Sequence, residues 1–315
     1  MLDTTTDTAA IEVHNLTKRY GNLSAVNDIS FNVSEGEFFG FLGPNGAGKT
    51  TTIRMLTGVI KADSGTAFIK GLGAGSIHAK QISGILPEMA NAYTDLSGWD
   101  NLMLMAELYG IPSNTAKNRS EKLLESLGLL ERKNSLVKTY SKGMKQRLIL
   151  SMALVSDPAL IFLDEPTSGL DVQSARMINN MLRVLNGEGK TIFLTTHDMD
   201  EANQLCDRVS IINKGKIVAI DAPQKLRMAT SSRHSVEVSF SDTTSAEELK
   251  QLPAVNEVQK NGDKYRLYTD NPGELVTQIV NYSSNLGLHI ISLNTLSPSL
   301  EDAFVALTEK EVHHV

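Results

Sequence analysis

The run Gly43-Pro44-Asn45-Gly46-Ala47-Gly48-Lys49-Thr50-Thr51 sets two glycines, four residues between them, ahead of a lysine and a hydroxyl residue. That order suits a polyphosphate. Glycines let the backbone fold around phosphate oxygens, amides at the start of a helix attract the anion, and Lys49 adds a point charge. Thr50 is expected to ligate Mg²⁺ through its hydroxyl. A second group, Leu160-Ile161-Phe162-Leu163-Asp164-Glu165-Pro166, ends an apolar run on two carboxylates. Asp164 is expected to hold the same Mg²⁺ through water, and Glu165, one residue on, to polarise the attacking water. Acid pairs at strand ends are commonly solvated caps, but beside a lysine loop the agreement of signals makes them a magnesium nucleotide site. His197 follows a third apolar run, 191–196. Its imidazole is expected at the same sheet edge, in reach of a γ-phosphate.

Those residues need a sheet whose strand ends share one edge. From 11 to about 228, short β-branched and aromatic runs alternate with longer helical patterns, which predicts an α/β unit containing parallel strands. The runs 38–42, 160–163 and 191–195 are apolar throughout and fit strands covered on both faces. Between them, Leu123, Leu124, Leu127 and Leu130 recur at helical spacing, predicting a helical lobe over about 90–155. The stretches 209–213 and 216–220 flank Lys214-Gly215 and predict a hairpin, after which Pro223 closes the unit. The order strand, helix, two strands around Asn261-Gly262-Asp263, helix, strand and final helix then predicts a small ferredoxin-like α+β domain over 233–309. Tails of 1–10 and 310–315 and a polar joint at 230–233 complete the division.

Composition narrows the function classes. Thirty basic against 36 acidic residues, a net charge of −6, leaves no basic excess for a nucleic-acid backbone, so none is expected as partner. Cys206 is the single cysteine, which rules out an internal disulfide and reads as a buried small apolar residue. The first ten residues lack the charged and apolar regions of a secretory signal. No run of about 18 apolar residues occurs, so a membrane role is expected to pass through a partner.

Across 11–228 the chain resembles the ATP-binding cassette ATPases. The resemblance rests on the lysine loop, the acidic strand, Tyr140-Ser141-Lys142-Gly143-Met144-Lys145-Gln146-Arg147 and Ser168-Gly169-Leu170-Asp171. It implies a P-loop NTPase cassette with a RecA-like core, an antiparallel β part and a helical lobe. It implies ATP as substrate with Mg²⁺, adenine stacked on Tyr20, and ATP contacts from a partner subunit's Ser141, Lys142, Gly143, Met144 and Asp171 positions. Ser141 suits that role chemically, as the N-cap of a helix whose free amides favour an anion. Lys142 stands where the family usually has glycine, Met144 where it has glutamine, and Glu88 where it has glutamine after the third strand. The Glu88 carboxylate is expected to meet Mg²⁺ or water.

Lys142, Met144 and Glu88 resemble the branch that powers drug, antibiotic, sodium and polysaccharide exporters, and so does Ser299-Leu300-Glu301-Asp302-Ala303-Phe304. That branch implies a homodimer, or a heterodimer with a related cassette, held at the cytoplasmic face of a membrane by a separate permease chain. The permease is expected to meet 88–109, around Trp99, Met103 and Met105. Alternatives are a soluble cassette ATPase without transport and a nucleotide-gated regulatory module. The terminal domain is expected to reinforce pairing or regulate turnover; truncation after Met228 should weaken one of them, and unchanged pairing and ATPase rate would reject this.

Overall fold

The computed structural model describes residues 9–89, 91–229, 234–242, 244–296 and 298–310. The first eight positions of the N-terminal tail, the joint at 230–233 and the C-terminal tail from 311, with His313 and His314, lie outside them. The chain divides between Ala222 and Pro223 into two units.

In the first unit, β1 (Ala9–Tyr20), β2 (Leu23–Ser34) and β3 (Phe38–Leu42) precede α1 (Lys49–Leu56), which opens at the lysine of the glycine loop. There follow β4 (Ser64–Ile69), β5 (Leu72–Gly73), α2 (Ile77–Gln81) and β6 (Ser83–Leu86). Three helices, α3 (Gly98–Leu108), α4 (Ser113–Ser126) and α5 (Lys142–Leu154), make the helical lobe. The chain returns through β7 (Leu160–Asp164), α6 (Val172–Gly187), β8 (Thr191–Thr196), α7 (Met199–Leu205), β9 (Arg208–Asn213) and β10 (Lys216–Asp221). The last two pair antiparallel across Lys214-Gly215, the expected hairpin.

Strand order is β10-β9-β3-β8-β7-β6 in one sheet and β2-β1-β4-β5 in an antiparallel one. In the larger sheet β3, β6, β7, β8 and β9 run parallel. Register aligns their ends: Leu42 lies opposite Thr196, Asp164 opposite Thr195, and Leu86 opposite Leu163. The glycine loop, Glu165, His197 and Glu88 therefore all leave the sheet at its carboxyl edge, where ligand crevices open in such folds. Strands β3, β7 and β8 are buried at every position, as their unbroken apolar runs require. Phe31 of β2 stacks on Phe39 at 5.7 Å, and Phe39 on Phe193 at 5.8 Å, so rings join the two sheets into one core. Each such ring stabilises the fold by about 1.5–3 kcal/mol through burial alone.

Pro223 does more than end the first unit: it opens α8 (Pro223–Ala229) in the second. Proline at a first helical position lacks only an N–H that no helix bond uses. Next come β11 (His234–Phe240), α9 (Ala246–Leu249), β12 (Glu257–Asn261), β13 (Lys264–Thr269), α10 (Pro272–Leu286), β14 (Ile290–Leu296) and α11 (Leu300–Lys310). The sheet order β12-β13-β11-β14, antiparallel throughout, is ferredoxin-like. Helix α9 stops at Leu249, shorter than the apolar pattern to Leu252 suggests; Pro253 disfavours helix in the residue before it.

Candidate functional site

Backbone geometry makes the glycine loop before it meets any ligand. Gly48 caps α1 at φ 113°, and a Cβ there would lie 2.5 Å from the Ala25 carbonyl, so alanine fits neither the conformation nor the space. Ala47 is buried and its carbonyl accepts from Gly215 N–H at 2.9 Å, tying the loop to the hairpin turn. Lys49 Nζ donates to the carbonyls of Gly43 at 2.7 Å and Pro44 at 3.3 Å, folding the side chain back over its own loop.

Two carboxylates meet that loop. Thr50 Oγ1 donates to Asp164 Oδ1 at 3.3 Å, and Thr195 Oγ1 donates to the same oxygen, which fixes Asp164 from both sides. Hydroxyl and carboxylate oxygens this close form a hard donor set of the kind Mg²⁺ takes alongside phosphate oxygens. Glu165 Oε1 lies 3.2 Å from Lys49 Nζ, and Oε2 lies 2.7 Å from His197 Nδ1. The lysine contact is an ion pair without hydrogen-bond alignment, since Oε1 has no hydrogen-bond partner. Lys49 is 6% and Glu165 8% exposed, whereas the His197 side chain is 54% exposed. A buried cation, a buried carboxylate and an accessible imidazole thus form one line along the sheet edge. Glu165 holds φ 52°, left-handed backbone that a non-glycine residue adopts at a cost and only where neighbours hold it.

Tyr20, Pro44, Asn45, Gly46, Gly48, Lys49, Thr50, Thr51, Glu88 and Glu165 line one cleft of about 440 Å³. Tyr20 stands at its rim, 49% exposed, with Lys18 Nζ 5.8 Å from the ring centre. His197 lines a second cleft with Ser168 and Gly169, and Glu165 belongs to both.

Ser141, Lys142, Gly143 and Met144 line neither cleft. Ser141 caps α5, its Oγ accepting from Met144 N–H at 3.2 Å, and is exposed. Gly143 packs on α6 so closely that a Cβ would lie 2.2 Å from Ser174 Oγ. Asp171 caps α6, and hydrogen bonds from Ser174 N–H and Oγ hold its carboxyl below the usual range. Lys142 Nζ donates to the carbonyls of Ser168 at 3.2 Å and Gly169 at 3.0 Å. Residues 141–144, the signature segment, and the 168–171 loop are therefore joined to each other through Lys142.

Sequence reasoning missed two groups here. Thr195 reads as one more apolar-strand residue, yet its hydroxyl orients Asp164. Glu201 reads as a helix-start acid three residues after the cap Asp198, yet it is 6% exposed and accepts from Thr167 Oγ1 at 2.7 Å. The helix-start spacing gives no sign of that burial.

The geometry can hold a triphosphate and place a carboxylate against a water near its end. A family model described as ABC transporter matches residues 26–168. The linearmycin resistance ATP-binding protein of Bacillus subtilis (strain 168) is 34% identical over 304 residues, 95% of this chain and 98% of that one. A Nod factor export ATP-binding protein of Ralstonia nicotianae is 35% identical over 307 residues, 97% of this chain and 95% of that one. Among solved structures, an ATP-binding subunit of an ABC transporter superposes with TM-score 0.65 at 29% identity, covering 70% of this chain and 92% of that one.

Proposed function

The chain belongs to the ABC transporter family as an ATP-binding, ATP-hydrolysing subunit, and on that premise we propose that it powers export by closing and reopening a pair of cassettes. The observation that carries this reading is the Lys49–Glu165–His197 line, at 3.2 and 2.7 Å, beside the Thr50–Asp164 contact. Lys49 and the backbone N–H groups of 45–51 grip the β- and γ-phosphates, and Tyr20 carries the adenine ring. Thr50 and Asp164 would hold Mg²⁺ delivered with the nucleotide, with Glu88 lining the same cleft as Thr50, and the ion would supply positive charge against the phosphate oxygens. Glu165 takes a proton from the attacking water, while His197 orients Glu165 through Oε2 and stands toward the γ-phosphate.

Ser141 and Lys142, exposed and outside the cleft of the chain's own lysine loop, support a site shared between two copies. Ser141, Gly143 and the amides opening α5 complete the γ-phosphate cage of the opposite copy, with Lys142, Met144 and Asp171 beside them. ATP bound across the interface favours the closed pair, and hydrolysis with phosphate release returns it to the open one. The name of the Ralstonia relative, a Nod factor export ATP-binding protein, supports an exporter, and a homodimer is the simplest arrangement, with a related cassette as the alternative second copy.

Among the described residues no helix is long and apolar enough to cross a membrane. The reading therefore places the chain on the cytoplasmic face against a separate permease chain. Met89, Tyr93 and Leu108 are exposed, while Trp99, Met103 and Met105 are half-buried. Lys133 Nζ lies 5.0 Å from the Trp99 ring. We expect membrane retention to depend on the permease and a photocrosslinker at Tyr93 to join the two chains. Retention of the chain on membranes stripped of the permease, or no crosslink in the copurified complex, contradicts this docking.

A further inference from the structure

Glu201 is a buried acid that the hydrolytic steps above do not use. It lies in the first turn of α7, whose cap Asp198 directly follows His197. Its Oε1 accepts from Thr167 Oγ1, two residues past Glu165, at 2.7 Å. Thr196 Oγ1 accepts from Asp198 N–H at 3.0 Å, and Asp198 Oδ1 accepts from the Glu201 amide at 3.0 Å. On the other side, Ser168 N–H donates to the Glu165 carbonyl at 3.2 Å, and Glu165 N–H to the Thr195 carbonyl at 3.0 Å. A closed circuit thus runs from Glu165 through Thr167 and Glu201 to the backbone on either side of His197.

We propose that Glu201 is a positioning residue for hydrolysis, bracing the turn that carries Glu165 against the strand end that carries His197. The proposal rests on the ATPase reading of that site. Glu165 needs such a brace, because its left-handed backbone persists only where the surroundings determine it. His197 needs it as well: its ring is half exposed and the 2.7 Å contact with Glu165 depends on where α7 begins.

Burial favours the uncharged form of this carboxyl. Thr167, Thr196 and Asn179 are the side chains that face the carboxyl, and all are neutral; the charge acting on it is that of Asp198, of like sign. Burial pushes the carboxyl up, against smaller opposing contributions from Thr167, Thr196 and Asn179. Glu201 Oε2 and Asn179 Oδ1 are both buried acceptors without a hydrogen-bond partner. A proton on Oε2 gives that buried oxygen a donor of its own.

Steady-state phosphate release by the full chain tests this, with Glu165→Gln as control. Glu201→Ala should lower kcat ~10-fold or more with KM for ATP within ~2-fold, the signature of lost transition-state geometry without lost binding. Glu201→Gln, neutral and of the same shape, should recover kcat to within ~3-fold of wild type, since hydrogen bonding and not charge is required. Thr167→Val removes the other end of the brace without emptying the carboxyl's site, and it should lower kcat in the same way. If Glu201→Ala does not fold, Thr167→Val and Glu201→Gln decide the matter. Wild-type kcat in Thr167→Val or in folded Glu201→Ala overturns the proposal, as does Glu201→Gln as slow as Glu201→Ala. Failure of the underlying reading shows separately, as no phosphate release by wild type or full release by the Glu165→Gln control.

Discussion

Glu165→Gln should bind magnesium ATP with near-normal affinity and turn it over ~10²–10⁴-fold more slowly, the range a positioned general base contributes. The loss corresponds to about 2.7–5.5 kcal/mol of transition-state stabilisation. Glutamine fills the same buried space and can still hydrogen-bond His197 Nδ1, so the shape of the edge survives. It loses the basic oxygen for water and the ion pair across 3.2 Å to Lys49. Because hydrolysis is the step that reopens the pair, this variant should accumulate as a nucleotide-bound dimer in light scattering, where wild type cycles. Single-turnover phosphate release checks the chemistry, and normal turnover would remove Glu165 from the role of base.

Lys49→Ala should abolish tight nucleotide binding, with affinity for magnesium ATP falling by more than ~100-fold and hydrolysis with it. The side chain is the cation at the centre of the loop, and it is 6% exposed and already desolvated there. Its removal also leaves Glu165 buried beside His197 without its positive neighbour, which costs stability on the order of 3–5 kcal/mol where no other group compensates. Lys49→Arg should not rescue binding. A compact ammonium reaches the Gly43 and Pro44 carbonyls at 2.7 and 3.3 Å, and a planar guanidinium does not fit that pair of acceptors. Calorimetric titration checks both variants, with circular dichroism to establish folding; wild-type affinity in folded Lys49→Ala contradicts the grip.

The chemistry was more legible in the sequence than the arrangement that aims it. Apolar runs that end in Gly43, Asp164 and Thr196 announce strands, and each is followed at once by the group that acts. Pairing order is different, because it depends on residues far apart in the chain. That β3 lies between β8 and β9, and β8 between β3 and β7, follows from burial of particular faces and from connections through helices, neither of which is visible in a local window. Local chemistry also misleads where two roles share one residue type. Pro223 reads as a stop and is a helix start, and Glu201, an acid three residues after the helix cap Asp198, is buried. Lys142 stands at a signature position expected to face a partner's nucleotide, while within its own chain it holds the carbonyls of Ser168 and Gly169. No spacing rule reports that contact, since 26 residues separate Lys142 from Ser168.

In the proposed closed pair, one ATP is held by the lysine loop of one copy and the signature helix of another. The native thiol, Cys206, is buried, so introduced cysteines react selectively. Two preparations of the Glu165→Gln chain, one carrying Asn45→Cys and the other Met144→Cys, are mixed and treated with a short bifunctional crosslinker. Crosslinked dimer formed from the two different chains with magnesium ATP, and not with magnesium ADP, is the predicted result. ATP bound by both chains with no crosslink between them contradicts the shared site.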